Sequence, residues 1–228
     1  MHEKSISLDA RLSCIAEMVG KCDCYADIGC DHGRLGAFLL QQDWVKRAIL
    51  TDISDSSLQK ARALIRLIGV ESRAQFEVCD GLDGLNANVN AIVIAGMGGS
   101  TIASILERGR EKLGAARLIL QANVAIPELR ERLCAIGYRI SAEKLVRDGR
   151  RYYVILLAER GQAQYSSIER IVGPILMRER PRGFEDYAAY RLGIVKKAHA
   201  GAIRGGEDAS ELEEEIRAWE ACLNGENS

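Results

Sequence analysis

The 228 residues, 47% of them hydrophobic, suffice for one ordinary domain with an appendage. No apolar run approaches the roughly 18 residues that span a bilayer, and the opening MHEKSISLDA lacks the basic-then-apolar form of a signal peptide, so a soluble cytoplasmic protein with no membrane contact is expected. The formal charge of -1 divides into 22 Lys+Arg against 20 Asp+Glu up to Arg160 and 9 against 12 beyond, a balance that announces no nucleic-acid partner in bulk while leaving room for a local basic stripe.

The chain opens with a helical pattern, LDARLSCIAEMV, carrying Arg11. Short apolar, β-rich runs follow: YADIG, RAILTD, QFEVCD, AIVIAG and RLILQA. Helical stretches such as SLQKARALIRLIG and STIASILERGREKL lie between them. In the first of these Ser54 is the expected N-cap, with Leu58, Ala61, Ile65 and Ile68 on one apolar face. Such alternation predicts an α/β fold, a parallel sheet with helices on both faces. A helix opening at Pro127 comes next, then strands over 138–145 and 152–158 joined by a turn at Arg147-Asp148-Gly149-Arg150, which predicts a closing antiparallel hairpin.

Composition shifts at Glu159-Arg160-Gly161-Gln162, predicting a domain over 1–160 and a helical one over 161–228. Helical patterns cover 168–180, broken by Gly173-Pro174, and then 184–204 and 208–223. The last two are expected to form an antiparallel hairpin, with Tyr187, Ile194, Val195 and Ala198 facing Leu212, Ile216 and Trp219. The seven cysteines form no CxxC pair and read as reduced core residues. The one-residue spacing of Cys22 and Cys24 near His32 is unusual for a zinc site, so no metal is expected.

In open parallel sheets, ligands bind beyond the carboxyl ends of the strands, where DIGCDHGRLG (27–36) falls. A dinucleotide fingerprint anchored on Gly29 requires glycine at 31 and 34, where Asp31 and Arg34 stand. A carboxylate there repels a pyrophosphate but suits S-adenosylmethionine (SAM), which carries a sulfonium and an ammonium and no phosphate. Asp52, 23 residues after Gly29, is placed to accept from ribose hydroxyls, and Asp80 from an adenine amine, with Gly81 keeping the backbone clear. Either aspartate reads equally as a helix cap. Gly29, Cys30, Asp31, His32 and Ile53 complete the expected cofactor contacts. At the fourth strand end, Gly96-Met97-Gly98-Gly99 either makes a tight turn or opens space for a planar base, which makes Gly96, Met97 and Gly98 catalytic candidates and Gly99 a substrate contact.

DIGCDHGRLG, CDGL, AIVIAGMGGSTIASIL and LILQANVAIPELRERL together resemble the bacterial tRNA (adenine-22-N1)-methyltransferases, in order and spacing, from Leu8 to about Ala158. The Gly173-Pro174 helical tail resembles that family's C-terminal coiled-coil domain. The resemblance implies a Rossmann-like, class I SAM-dependent methyltransferase acting on N1 of an adenine in the D-loop region of tRNA, with the tail assisting RNA binding. Gly36 and Ala122 stand where the family has prolines, and Tyr153 where it often has glutamate.

Adenine N1 attacks through an in-plane lone pair and carries no proton, so alignment is the main demand. Asp27 is either a stabiliser of the cationic product or a structural organiser of the loop, while His32 reads as a loop hydrogen-bonding group. Arg11 either lies on a solvated helix face or pairs with the SAM carboxylate or an RNA phosphate. Gln121 and Asn123 belong to the substrate side, as do Arg178, Arg182, Lys196 and Lys197, members of the tail's basic concentration. Other function classes compatible with the sequence are a non-catalytic SAM-binding RNA-interaction protein and a methyltransferase of small molecules. Oligomeric state stays open.

Overall fold

The computed structural model describes residues 6–86 and 88–225. Seven strands form one sheet: β1 (Cys22–Ile28), β2 (Val45–Asp52), β3 (Ala74–Val78), β4 (Ala91–Met97), β5 (Arg117–Ala122), β6 (Tyr138–Asp148) and β7 (Arg151–Arg160), in the order β3-β2-β1-β4-β5-β7-β6. The first five pair in parallel, whereas β7 runs antiparallel to both β5 and β6. The expected hairpin is therefore present, with β7 inserted beside β5 and β6 left at the edge. Chain order reverses between β1 and β4, so the carboxyl ends of those two strands flank the crevice where a ligand is held.

Around the sheet lie α1 (Ala10–Val19), α2 (Arg34–Gln41), α3 (Asp55–Leu67), α4 (Gly99–Arg108) and α5 (Ile126–Ala135). Ser54 caps α3, its hydroxyl accepting from Ser57 N–H, and Leu58, Ala61 and Ile65 are buried beneath it. Central strands are buried on both faces: Ala91, Ile92, Val93 and Ile94 in β4 have no exposed surface. Burying each Val or Ile contributes about 1.5 to 3 kcal/mol, and the ligand crevice opens at the end of this well-buried centre.

Strand gives way to helix after Arg160: α6 (Ser167–Val172), α7 (Pro174–Glu179), α8 (Phe184–Gly205) and α9 (Ser210–Asn224). Their apolar residues Val172, Ile175, Leu176, Phe184, Tyr187 and Trp219 join the same hydrophobic cluster as Ile94, Leu120 and Leu156 of the sheet. α8 and α9 pack as an antiparallel hairpin, bridged by Arg191–Glu215 at 2.7 Å and Lys196–Glu220 at 2.6 Å. Tyr187, Val195 and Trp219 are buried as expected, but Ile194 is 45% exposed and Ala198 is exposed too. The row Tyr187, Arg191, Val195 faces inward at four-residue steps, which turns the neighbouring row Tyr190, Ile194, Ala198 outward.

Candidate functional site

A cleft of about 590 Å³ opens at the carboxyl ends of β1, β2, β3 and β4, and all ten of the expected cofactor residues line it: Arg11, Asp27, Gly29, Cys30, Asp31, His32, Asp52, Ile53, Asp80 and Gly81. Its β1–α2 loop places Gly29, Asp31 and Gly33 in left-handed backbone, at φ 73°, 50° and 66°. Glycine at 29 also answers a close approach, since a β-carbon there falls 2.2 Å from Met97 Cε. Gly36, in place of the family's proline, lies under Tyr25 Oη and Leu50 Cδ2, each 2.8 Å from where a β-carbon stands.

The loop's amides decide what it can hold. Gly29 and Cys30 N–H donate to Thr51 C=O at 2.8 and 2.9 Å, Gly33 N–H donates to Cys30 C=O at 2.9 Å, and Asp31 N–H donates to Asp52 Oδ2 at 3.0 Å. A phosphate-binding loop aims such donors at its ligand. These four are already taken, and what faces the cleft is carboxylate.

Asp52 therefore organises the loop as well as ending β2: its other oxygen accepts from Ser54 N–H at 2.9 Å. Beside it Ile53 is 75% exposed, an apolar surface suited to a flat ring. Asp80 accepts from Arg108 Nη1 of α4 at 2.8 Å, a hydrogen bond that holds its carboxyl below the usual value. The sequence pattern gave no sign of that partner. His32 Nε2 lies 3.2 Å from Lys60 Nζ and 3.5 Å from Asp31. Among the described residues no group of three or more His, Cys, Asp or Glu side chains gathers as a metal site.

Asp27 is 6% exposed, and burial pushes its carboxyl up to about 7. Asp52 raises it further, while Tyr25 and Arg11 pull it down; the Tyr25 hydroxyl does so without closing a hydrogen bond of normal geometry. Burial, then Asp27, push the Cys30 thiol far above its ordinary range, so it stays protonated.

A bulge at Gly96 (φ 81°) shifts the β4 register between Ala95 and Met97 and turns the Gly96 carbonyl toward β5. There Asn123 Nδ2 donates to Gly96 C=O at 2.8 Å and Asn123 N–H to Met97 C=O at 2.8 Å. Gln121 Nε2 donates to Asn123 Oδ1 at 3.0 Å, and Arg11 Nη1 donates to Gln121 Oε1 at 2.8 Å. Arg11 also lies 5.6 Å above the Tyr153 ring, so the cation meets an aromatic face where the family's glutamate offers a charge. Gln121 is 1% exposed, and its side chain is bonded to Asn123 and to Arg11. Gly99 lines neither of the clefts at this end of the sheet. It is buried, and a β-carbon there falls 2.0 Å from Ala125 C=O, so its expected substrate contact gives way to a packing role, while Gly98 caps α4.

Of the tail cations, Arg178 pairs with Glu179 at 3.2 Å and Lys196 with Glu220. Arg182 and Lys197 make no ion pair among the described residues.

A methyltransferase domain model matches residues 8–156. A Bacillus subtilis tRNA (adenine(22)-N(1))-methyltransferase is 34% identical over 183 residues, covering 77% of each chain. The chain belongs to this family of bacterial tRNA (adenine-22-N1)-methyltransferases. Solved structures extend the likeness through the helical tail. A Streptococcus pneumoniae protein in complex with S-adenosyl-L-methionine is 30% identical, with a TM-score of 0.86 over 95% of this chain and all of that one. A Streptococcus agalactiae protein of the NADB-Rossmann superfamily is 28% identical, with a TM-score of 0.90 over 96% and 99%. The Rossmann-like sheet expected from the sequence is thus the family's own.

Proposed function

We propose that this chain transfers a methyl group from SAM to N1 of adenine 22 in tRNA, in the cytoplasm, where tRNA is modified. No helix among the described residues is long and apolar enough to cross a membrane. The observation that carries the reading is the loop 29–33: the amides of Gly29, Cys30, Asp31 and Gly33 are consumed internally and the loop's exposed chemistry is acidic, which fits a cationic, phosphate-free nucleoside.

In that cleft Asp52 has lone pairs left for ribose hydroxyls, Ile53 supports the adenine ring, and Asp27 and Asp31 offer negative charge to the cationic end. SAM supplies an electrophilic methyl on sulfur. The protein's own work is alignment. Gly96 has no side chain to block a base approaching the cleft, and Asn123, held on two sides by Gln121 and Gly96, keeps one N–H and one lone pair for the base edge. No general base is needed, because the attacking nitrogen bears no proton. Asp27 stabilises the positive charge that passes to the ring.

Incubating the purified protein with SAM and tRNA transcripts, followed by nucleoside analysis, tests this directly. The expected product is 1-methyladenosine, absent when position 22 is changed to guanine. SAM binding without 1-methyladenosine formation on any tRNA would sink the proposal.

A further inference from the structure

A second cleft, of about 690 Å³, adjoins the first and shares Arg11 and Gly96 with it. It runs between the β5–α5 turn, the start of β7 and the outward row of α8. Seven large hydrophobic side chains are exposed among the described residues, and three of them line this one cleft: Val124 at 63%, Tyr190 at 45% and Ile194 at 45%. Exposed apolar side chains gathered in a concavity mark binding surfaces.

The aromatic wall is held in place. Tyr190 packs on Tyr152 at 5.2 Å between ring centroids, and Tyr152 in turn meets Tyr187 at 5.5 Å and carries Arg147 over its face at 5.5 Å. A ring positioned this way loses little freedom when a second flat ring stacks on it. Arg151 lines the same cleft and makes no ion pair among the described residues, so a cation is free for a phosphate.

We propose that this cleft is a second nucleobase site, in which an unpaired base of the RNA, next to the adenine being methylated, stacks on Tyr190 against Ile194 while Arg151 meets its phosphate. The inference rests on the tRNA reading above and adds to it a determinant of RNA choice: the target must lie beside a base that can leave its own stack. Two features select RNA as the occupant. The cleft is continuous with the place where the target base must enter, and an aromatic face beside a free arginine is the combination that holds unstacked nucleotides.

The test uses the full chain, SAM and tRNA transcripts with an abasic nucleotide on either side of the target adenine. Tyr190→Ala should raise the KM for intact tRNA roughly 5- to 150-fold, the range for losing one base–aromatic stack. Turnover at saturating tRNA and SAM affinity should hold within about twofold, and Tyr190→Phe should behave as wild type. One of the two abasic transcripts should show the same KM rise with wild type and no further rise with Tyr190→Ala. An active wild type with an unchanged KM in Tyr190→Ala, or losses that simply add, overturns the second site alone. Loss of SAM affinity in Tyr190→Ala would make the residue structural and overturn it as well. A wild type that makes no 1-methyladenosine sinks the parent reading, and this one with it.

Discussion

Arg130 of α5 and Glu143 of β6 meet at 2.9 Å with side chains 1% and 0% exposed, and between them they hold both ends of the α6–α7 junction. Arg130 donates to the carbonyls of Arg170, Ile171 and Val172 at the end of α6. Glu143 Oε2 accepts from Ile175 and Leu176 N–H at the start of α7, at 2.8 and 3.0 Å. The cation sits at a helix C-terminus and the anion at a helix N-terminus, so each charge meets the dipole end that favours it.

Glu143→Gln strands the Arg130 charge in the interior and should cost about 3 to 5 kcal/mol, whereas Arg130→Met combined with Glu143→Leu should cost less than either single change. Urea unfolding followed by circular dichroism measures both. Single and double variants of equal stability would show that the pair is not coupled.

Asp27 gives the ligand-free protein a pH signature. Its carboxyl is raised from 3.8 to about 7, so the stability tied to it is full below about pH 4 and is lost as pH rises through about 7. A cationic ligand prefers the ionised form, so SAM affinity should move the other way, increasing by up to about tenfold per unit as pH rises toward 7, below the range where an α-amino group titrates. Calorimetry between pH 6 and 7 should find this slope in the wild type and a flat profile in Asp27→Asn. Equal slopes would remove Asp27 from the binding site.

The paired glycines at the β4–α4 turn should respond differently. Gly98 has φ -71° and a β-carbon there lies 3.7 Å from its nearest neighbours, so Gly98→Ala should leave folding intact. Gly99→Ala drives a methyl into the Ala125 carbonyl, and the β5–α5 turn has to move, at a cost of about 1 to 3 kcal/mol. Thermal unfolding of the two variants decides this, and matching melting temperatures would refute it.

For the tail, Arg182→Ala and Lys197→Ala should each flatten the salt dependence of tRNA binding by about one unit of slope if these unpaired cations meet phosphates. Arg178→Ala and Lys196→Ala remove cations already facing Glu179 and Glu220, so their effect should be smaller. Filter binding over a salt series reads both, and four unchanged slopes would take the tail away from the RNA.

Much of the sheet was readable because strands such as AIVIAG run apolar to a glycine at their carboxyl end and are buried on both faces, so local pattern and tertiary position agree. The carboxylates at the strand ends were readable for the same reason: topology alone puts them in one crevice. Arg130 and Glu143 were not, since each sits in a segment whose charges otherwise face water, and the backbone groups that satisfy them lie 32 to 42 residues further on. Gly173-Pro174 was the available clue, marking a break between helices whose exposed ends needed partners. Ile194 was misplaced because it adjoins Val195 on α8, and the sequence does not say which of the two neighbouring rows turns inward. Arg108 reaches Asp80 and Arg11 reaches Gln121 from remote segments, beyond the reach of any local pattern.

The buried pair also sets an order on biosynthesis. By the time Glu143 has been made, Arg130 and the whole of β1 to β5 exist, yet the carbonyls and amides that satisfy the two charges arrive only with residues 170–176. Until then a nascent chain that closes its sheet must bury two charges with only each other as partners. The catalytic half should therefore stay protease-sensitive on the ribosome until α7 has emerged and then become resistant in one step. The catalytic domain and its helical tail should then complete folding as one event.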